Sequence, residues 1–235
     1  MVIDLTYIVL VLPAVLLSLW ASWNVNSTYR RYSQDSNSRG LTAAEAARRV
    51  LNANGLSNVP IECIPGELTD HYDPSANVVR LSEGVFGSCS TAAIGVACHE
   101  VGHAIQHATG YLPVRIRSAI VPVTNIGAKL SVPLIMAGLL LSGFSQKLIM
   151  AAYIGILLFS LCAVFQIVTL PTEFNASRRA LVSIQDMNLL TGEELTGAKR
   201  TLRAAALTYV AALTTTLVQL LRFIILVNAR NNRRR

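Results

Sequence analysis

Charge is scarce in this chain of 235 residues: Asp, Glu, Lys and Arg make up 14% of it, against about 25% in soluble domains. Hydrophobic residues reach 52% and the mean hydropathy is +0.47, which excludes an ordinary water-soluble domain and puts much of the chain in lipid. Aromatic residues are few, at 6%, and do not interleave with the basic clusters. The net charge of +7 and pI near 9.6 therefore do not describe a nucleic-acid surface. The basic residues instead flank apolar runs, as at Arg30–Arg31, Arg115, Arg117, Arg178–Arg179 and the terminal "RNNRRR", a placement suited to anionic lipid headgroups. The bilayer is thus an expected partner and nucleic acid is not. Only four cysteines occur, Cys63, Cys89, Cys98 and Cys162, without a CxxC pair. That excludes a disulfide framework and predicts reduced, buried thiols that pack rather than bind zinc.

What the chain has in quantity is membrane-length apolar sequence. Four runs approach the roughly 20 residues that a helical crossing requires: Leu5–Trp23, Ile120–Leu141, Leu148–Leu170 and Ala204–Val227. Pro122, Asn125, Lys129 and Pro133 interrupt the second. "MVIDLTYIVL" lacks the basic n-region of a cleaved signal, so the first run reads as a retained anchor.

The polar "NVNSTYRRYSQDSNSRG" reads as a linker, and "LTAAEAARRVLNANG" as an amphipathic helix with a Thr42–Glu45 capping box and a stop at Gly55. "NVPIECIPGE" and "NVVRLSEGVF", parted by turn-rich "LTDHYDPSA", are β-rich and predict a small sheet. Ser88 or Ser90 caps a helix that runs to about Gly110, with Pro113 just beyond. "PTEFNASRRALVSI" reads as a helix start with Pro171 in its first turn, and Thr191 and Glu194 repeat the capping-box signal ahead of the fourth run.

The expected fold is mainly α and integral to the membrane: about four transmembrane helices plus a small α+β zincin-like catalytic domain with a short β-sheet. The expected segments are an anchor at 1–23, a linker at 24–40, an extramembrane domain at 41–115, and a transmembrane hairpin at 116–170. A third-ligand helix region at 171–203 completes the catalytic domain, and a last transmembrane helix with the basic tail occupies 204–235.

Within "ACHEVGHAIQH", His99, Glu100 and His103 stand in the order H-E-x-x-H inside the expected helix. One turn apart, the two imidazoles share a face and can meet one zinc ion. Glu100 is rotated about 100° from His99, outside the ligand shell but near a metal-bound water, the position of a general base. Zinc would lower the pKa of that water and polarise a peptide carbonyl, and Glu100 would carry the proton to the leaving amine. The bland alternative is a pair of core histidines satisfied by hydrogen bonds.

A catalytic site needs a third ligand and an open position. His107 lies about 12 Å along the axis from His99 and cannot share the ion on a straight helix, which leaves it at the surface or behind the ligands. A metzincin extension is absent. Glu173 is the better ligand: the two runs between His103 and Glu173, joined by "SGFSQK", form a hairpin whose two crossings return the chain to its starting side. A Glu stabilising a helix N-terminus is the alternative for that residue. His71, Tyr72, Arg178 and Arg179 are candidates for stabilising an oxyanion, each with an ordinary reading as a turn residue or a membrane-facing charge.

With "DHYDPSANVVRLSEGVF", "AIGVACHEVGHAIQH", "LPTEFNASRRAL" and "LRAAALTYVAAL", the chain resembles the YugP-like family of bacterial membrane-bound neutral zinc metallopeptidases over about Leu41 to Ala211. The resemblance implies His99, His103 and Glu173 as ligands of one catalytic zinc and Glu100 as the base. More distant membrane gluzincins, of the HtpX-like and CAAX prenyl protease kinds, carry Asp four residues after the ligand Glu. Ser177 holds that place here, and Asn175 stands where close relatives are expected to carry Asp, so the residues that orient the histidines depart from that pattern. By the same likeness "NVVRLS" would be the edge strand that pairs with an extended substrate, with an ordinary sheet strand as the alternative.

These readings converge on a membrane-anchored zinc metalloendopeptidase acting on peptide bonds of membrane or membrane-adjacent proteins. The alternatives are an intramembrane zinc protease and a non-catalytic zinc-binding scaffold or adaptor. Outside the runs, 13 Lys and Arg residues fall on the zinc side and 5 opposite, which predicts a multi-pass protein of the cell membrane with its site on the cytoplasmic face.

Overall fold

The computed structural model describes residues 6–232. Leu5, where the first expected span begins, and residues 233–235 of the basic tail lie outside the described residues. A π-helical turn, Tyr7–Val11, leads into α1 (Leu12–Tyr32), followed by α2 (Ala43–Ala53), β1 (Ile61–Ile64), β2 (His71–Asp73), β3 (Val78–Ser82) and the short α3 (Glu83–Phe86). Then come α4 (Thr91–Ala108), α5 (Leu112–Leu141), α6 (Ile149–Asp186) and α7 (Gly192–Asn232). The fold is mainly α with a small α+β part, as the sequence predicts. Among the described residues, four helices are long and apolar enough to cross a membrane: Tyr7–Tyr32, Leu112–Leu141, Gln146–Asp186 and Gly192–Asn232.

The chain divides into two compact units. The first holds the described parts of Met1–Trp20, Ile116–Leu170 and Tyr209–Arg235. Its surface is studded with large apolar side chains, such as Leu19, Leu140 and Leu157, each more than 60% exposed, as expected of a lipid-facing bundle. Small residues let α5 and α6 approach: a Cβ on Gly155 would meet Ser131 O at 2.7 Å. Arg222 is buried here, its guanidinium 5.1 Å from the Tyr7 ring centroid. A buried cation inside a span needs partners of this kind.

The second unit, Ala21–Arg115 with Pro171–Thr208, carries the sheet and α4. The capping box is complete: Glu45 N donates to Thr42 Oγ1 at 3.2 Å, and Thr42 N to Glu45 Oε2 at 3.0 Å. That start sets α2 so that Ala43, Ala46, Ala47, Val50 and Leu51 fall on one buried face, which packs with Ile94, Cys98 and Val101 of α4 in one core. Ser90 caps α4, its Oγ accepting from Ala93 N at 3.2 Å.

Several expectations are corrected. Residues 24–32, which composition reads as linker, are the last turns of α1. Pro171 does not open a new helix but lies inside the 38-residue α6. Proline forfeits one intrahelical bond wherever it sits past the first turn, and long packed helices absorb that loss. α4 ends at Ala108 with Pro113 just beyond, as expected, and Pro113 sits in the first turn of α5, which begins at Leu112. The sheet order is β1-β3-β2, with β3 parallel to β1 and antiparallel to β2. "NVVRLS" is therefore the central strand, hydrogen-bonded on both sides, with no edge to offer a peptide. Cys63 is exposed rather than buried, because it sits on edge strand β1.

Candidate metal centre

α4 presents His99 and His103 from the middle of its length, and α6 presents Glu173 two residues past Pro171. The helices can approach this closely because Gly102 lies between them: a Cβ there would sit 2.5 Å from the backbone oxygen of Ala176. Small residues on one helix face are what allow main chains into near contact.

The three donor atoms form an almost regular triangle. Nε2 of His103 is 3.2 Å from Nε2 of His99, and Oε2 of Glu173 is 3.3 Å from the His99 nitrogen and 3.5 Å from that of His103. Three corners of a tetrahedron with metal–ligand bonds of 2.0–2.1 Å are roughly 3.3–3.4 Å apart, so the set fits one zinc ion with a corner to spare. Among the described residues it is the cluster of His, Cys, Asp and Glu that converges within 4.8 Å. The imidazole rings meet edge to face, 4.7 Å between centroids at 87°. Glu173 is 3% exposed, and a carboxylate buried that deeply calls for a cation beside it.

Behind the triangle each imidazole is held by its other nitrogen. His99 Nδ1 is 3.1 Å from Ser177 Oγ, and His103 Nδ1 is 3.0 Å from Gln106 Oε1. A proton on Nδ1 leaves the Nε2 lone pair aimed at the shared point. Gln106 is fully buried, and its Nε2 donates to Thr172 O at 2.7 Å and to Asn175 Oδ1 at 3.0 Å. Asn175 Oδ1 also accepts from Arg179 Nε at 2.8 Å, and the Arg179 guanidinium lies 5.9 Å from the Tyr111 ring centroid.

Glu100 is buried and turned toward the sheet, where its Oε2 accepts the main-chain N–H of Tyr72 at 3.0 Å. Burial raises its carboxyl above the ordinary carboxylate range, against the pull of His99 and His103. For His103, burial alone would lower the imidazole's pKa. The hydrogen bond to Glu173 and the charges of Glu100 and Glu173 outweigh it, leaving the net value raised.

The remaining candidates separate. Ser177 joins the site through His99, Tyr72 through its backbone only, and Arg179 through Asn175. The Tyr72 hydroxyl donates to Asn77 Oδ1, and its ring packs 5.4 Å from that of His107. His71 is exposed with Nδ1 on Thr69 O, and Arg178 is exposed on α6, so neither reaches the three donors. Sequence reasoning missed Gln106, whose one signal is its place on the histidine helix, three residues after His103.

The fold and this donor set define the class: a multi-pass membrane protein with three side chains that could hold a metal ion. The chain belongs to the family described as "Putative neutral zinc metallopeptidase", whose profile matches residues 7–228. It is also 46% identical over 226 residues to the "Putative membrane protease YugP" of Bacillus subtilis (strain 168), covering 96% of this chain and 98% of that one. No solved structure matches.

Proposed function

We propose that this protein is a membrane-anchored zinc metalloendopeptidase of the H-E-x-x-H plus Glu type, hydrolysing peptide bonds of membrane or membrane-adjacent proteins. The single observation that carries the reading is the triangle of His99, His103 and Glu173, with Glu100 alongside. When bound, one zinc ion supplies Lewis-acid polarisation of a carbonyl and a lower pKa for water. The rest is the work of the chain. His99, His103 and Glu173 hold the ion, with Ser177 and Gln106 fixing the two rings. Glu100 takes a proton and passes it to the departing amine, its carboxylate anchored through Oε2 by the Tyr72 N–H.

α4 is not among the helices apolar and long enough to span, which argues against a site sunk in lipid. The site faces the cytoplasm in this reading, supported by the 13 to 5 excess of Lys and Arg on its side.

The test is Glu100→Gln in the full chain with zinc. Turnover of a membrane protein substrate falls by roughly 10²–10⁴ while zinc content and unfolding temperature are retained. Undiminished cleavage by that variant would remove Glu100 from the chemistry, and loss of zinc with it would recast it as a structural group.

A further inference from the structure

A cavity of about 470 Å³ opens in the second unit between the last turns of α1 and the early part of α7. That lies within the roughly 300–1,000 Å³ typical of small-ligand sites. Each helix gives it one stripe at helical spacing. Asn24, Ser27, Thr28 and Arg31 come from α1, and Arg200 and Arg203, followed by Ala204 and Leu207, from α7. With Tyr32, the lining holds three guanidinium groups, an amide and three hydroxyls, and no acidic side chain among the described residues.

Tyr32 organises the arginines. It is 8% exposed, its hydroxyl accepts from Arg200 Nη1 at 2.9 Å, and the Arg31 guanidinium carbon lies 5.4 Å from its ring centroid. Among the described residues, no carboxylate forms an ion pair with Arg31, Arg200 or Arg203, although the chain places Asp73 and Glu62 on Arg80. Three like charges gathered around a hollow repel unless an anion joins them, and guanidinium forks match phosphate oxygens two at a time. The location adds a second constraint. The cavity lies where the apolar stretch of α1 gives way to polar residues, and Trp23 on the preceding turn is 66% exposed, the usual position of a tryptophan at headgroup depth.

We propose that this cavity binds a phosphate-bearing anionic group, gripped by Arg31, Arg200 and Arg203, the chemistry that an anionic phospholipid headgroup presents to a basic pocket between helices. Inorganic phosphate shares that chemistry and is a separate arm of the test.

The full-length zinc-loaded protein in mild detergent is mixed with dioleoyl-phosphatidylglycerol or dioleoyl-phosphatidylcholine, and bound lipid is counted by native mass spectrometry. The expected result is one tightly retained phosphatidylglycerol, at about tenfold the occupancy of phosphatidylcholine. Arg200→Gln with Arg203→Gln brings it down to the phosphatidylcholine level. Arg30→Gln with Arg49→Gln, an equal charge change on exposed residues outside the cavity, leaves it intact. If the first pair compromises folding, seen as lost zinc or a lost unfolding transition, Ser27→Phe decides: it keeps all three arginines, fills the hollow and abolishes the adduct. In the other arm, inorganic phosphate at millimolar concentration raises the unfolding temperature of the wild type and not of Ser27→Phe if soluble phosphate is the ligand; that supports the pocket and reassigns its source. The proposal is overturned if phosphatidylglycerol is no better retained than phosphatidylcholine and phosphate has no effect, or if both arginine pairs lose the lipid equally.

Discussion

Gln106 is the residue on which the geometry of the metal centre turns, although it touches no metal position. It is uncharged, fully buried, and uses both ends of its amide: the oxygen takes the His103 Nδ1 proton, and the nitrogen ties α4 to Thr172 and Asn175 of α6. Gln106→Leu keeps the volume and removes both functions, so zinc affinity is expected to fall about 10–100-fold, measured by competition with a chelator. Gln106→Glu, which retains an acceptor for the imidazole, recovers part of that loss. Equal affinity in wild type and Gln106→Leu would mean that packing alone orients His103. The same imidazole sets a pH dependence. In the metal-free chain its raised pKa means that a proton is held to higher pH than on a free histidine, and that proton competes with the metal. Zinc affinity therefore begins to decline, as pH falls, above the ordinary histidine value of about 6.5. Titrations of zinc affinity between pH 6 and pH 8.5, with the protons released on binding, check it. A flat profile down to that value would contradict the assignment.

At the scale of elements, the decisive contact is the approach of α4 to α6 across Gly102. Gly102→Ala would place a methyl 2.5 Å from Ala176 O, so the helices must part and the donor triangle must widen. The expected cost is roughly 1–3 kcal/mol of stability, together with weakened zinc binding. Gly84→Ala, on α3 with nothing within 4 Å, is the control and is expected to be near neutral in both thermal unfolding and zinc titration. A Gly102→Ala protein with unchanged zinc affinity would show that Glu173 follows the histidines by some other constraint. This contact also marks how far the sequence could be read. His99, Glu100 and His103 were legible because one helical turn fixes their relation without any tertiary knowledge. Glu173 was legible from counting two crossings, which returns the chain without saying how near. Gln106 was not, because an amide inside a helix gives no pattern until its partners on another helix are known. Strand order was hidden for a similar reason: β3 reads as a short apolar run, and only long-range pairing with β1 and β2 makes it central. Pro171 misled because the same residue is at home in a first turn and tolerable in a long packed helix.

For the whole molecule, the face of the bilayer that the site meets can be read by labelling, because the structure supplies a reporter. Cys63 is exposed on β1, in the same unit as the metal centre, whereas Cys98 is buried and its thiol is pushed up to about 12 by burial. Thiolate is the reactive form, so an impermeant maleimide distinguishes the two strongly. Ser145 in the loop 142–147 is exposed, and two crossings between His103 and Glu173 predict that a label there reports the membrane face opposite to that of Cys63. With the site on the cytoplasmic face, as the distribution of Lys and Arg favours, Cys63 in intact cells stays unlabelled and becomes labelled once the membrane is opened. In a Cys63→Ser background, Ser145→Cys labels in intact cells and Ser36→Cys does not. The reverse pattern would place catalysis outside and turn the search for substrates to secreted and surface-exposed segments. Labelling of Cys63 and Ser145→Cys from the same side would break the hairpin itself, and with it the reason Glu173 returns to the histidines.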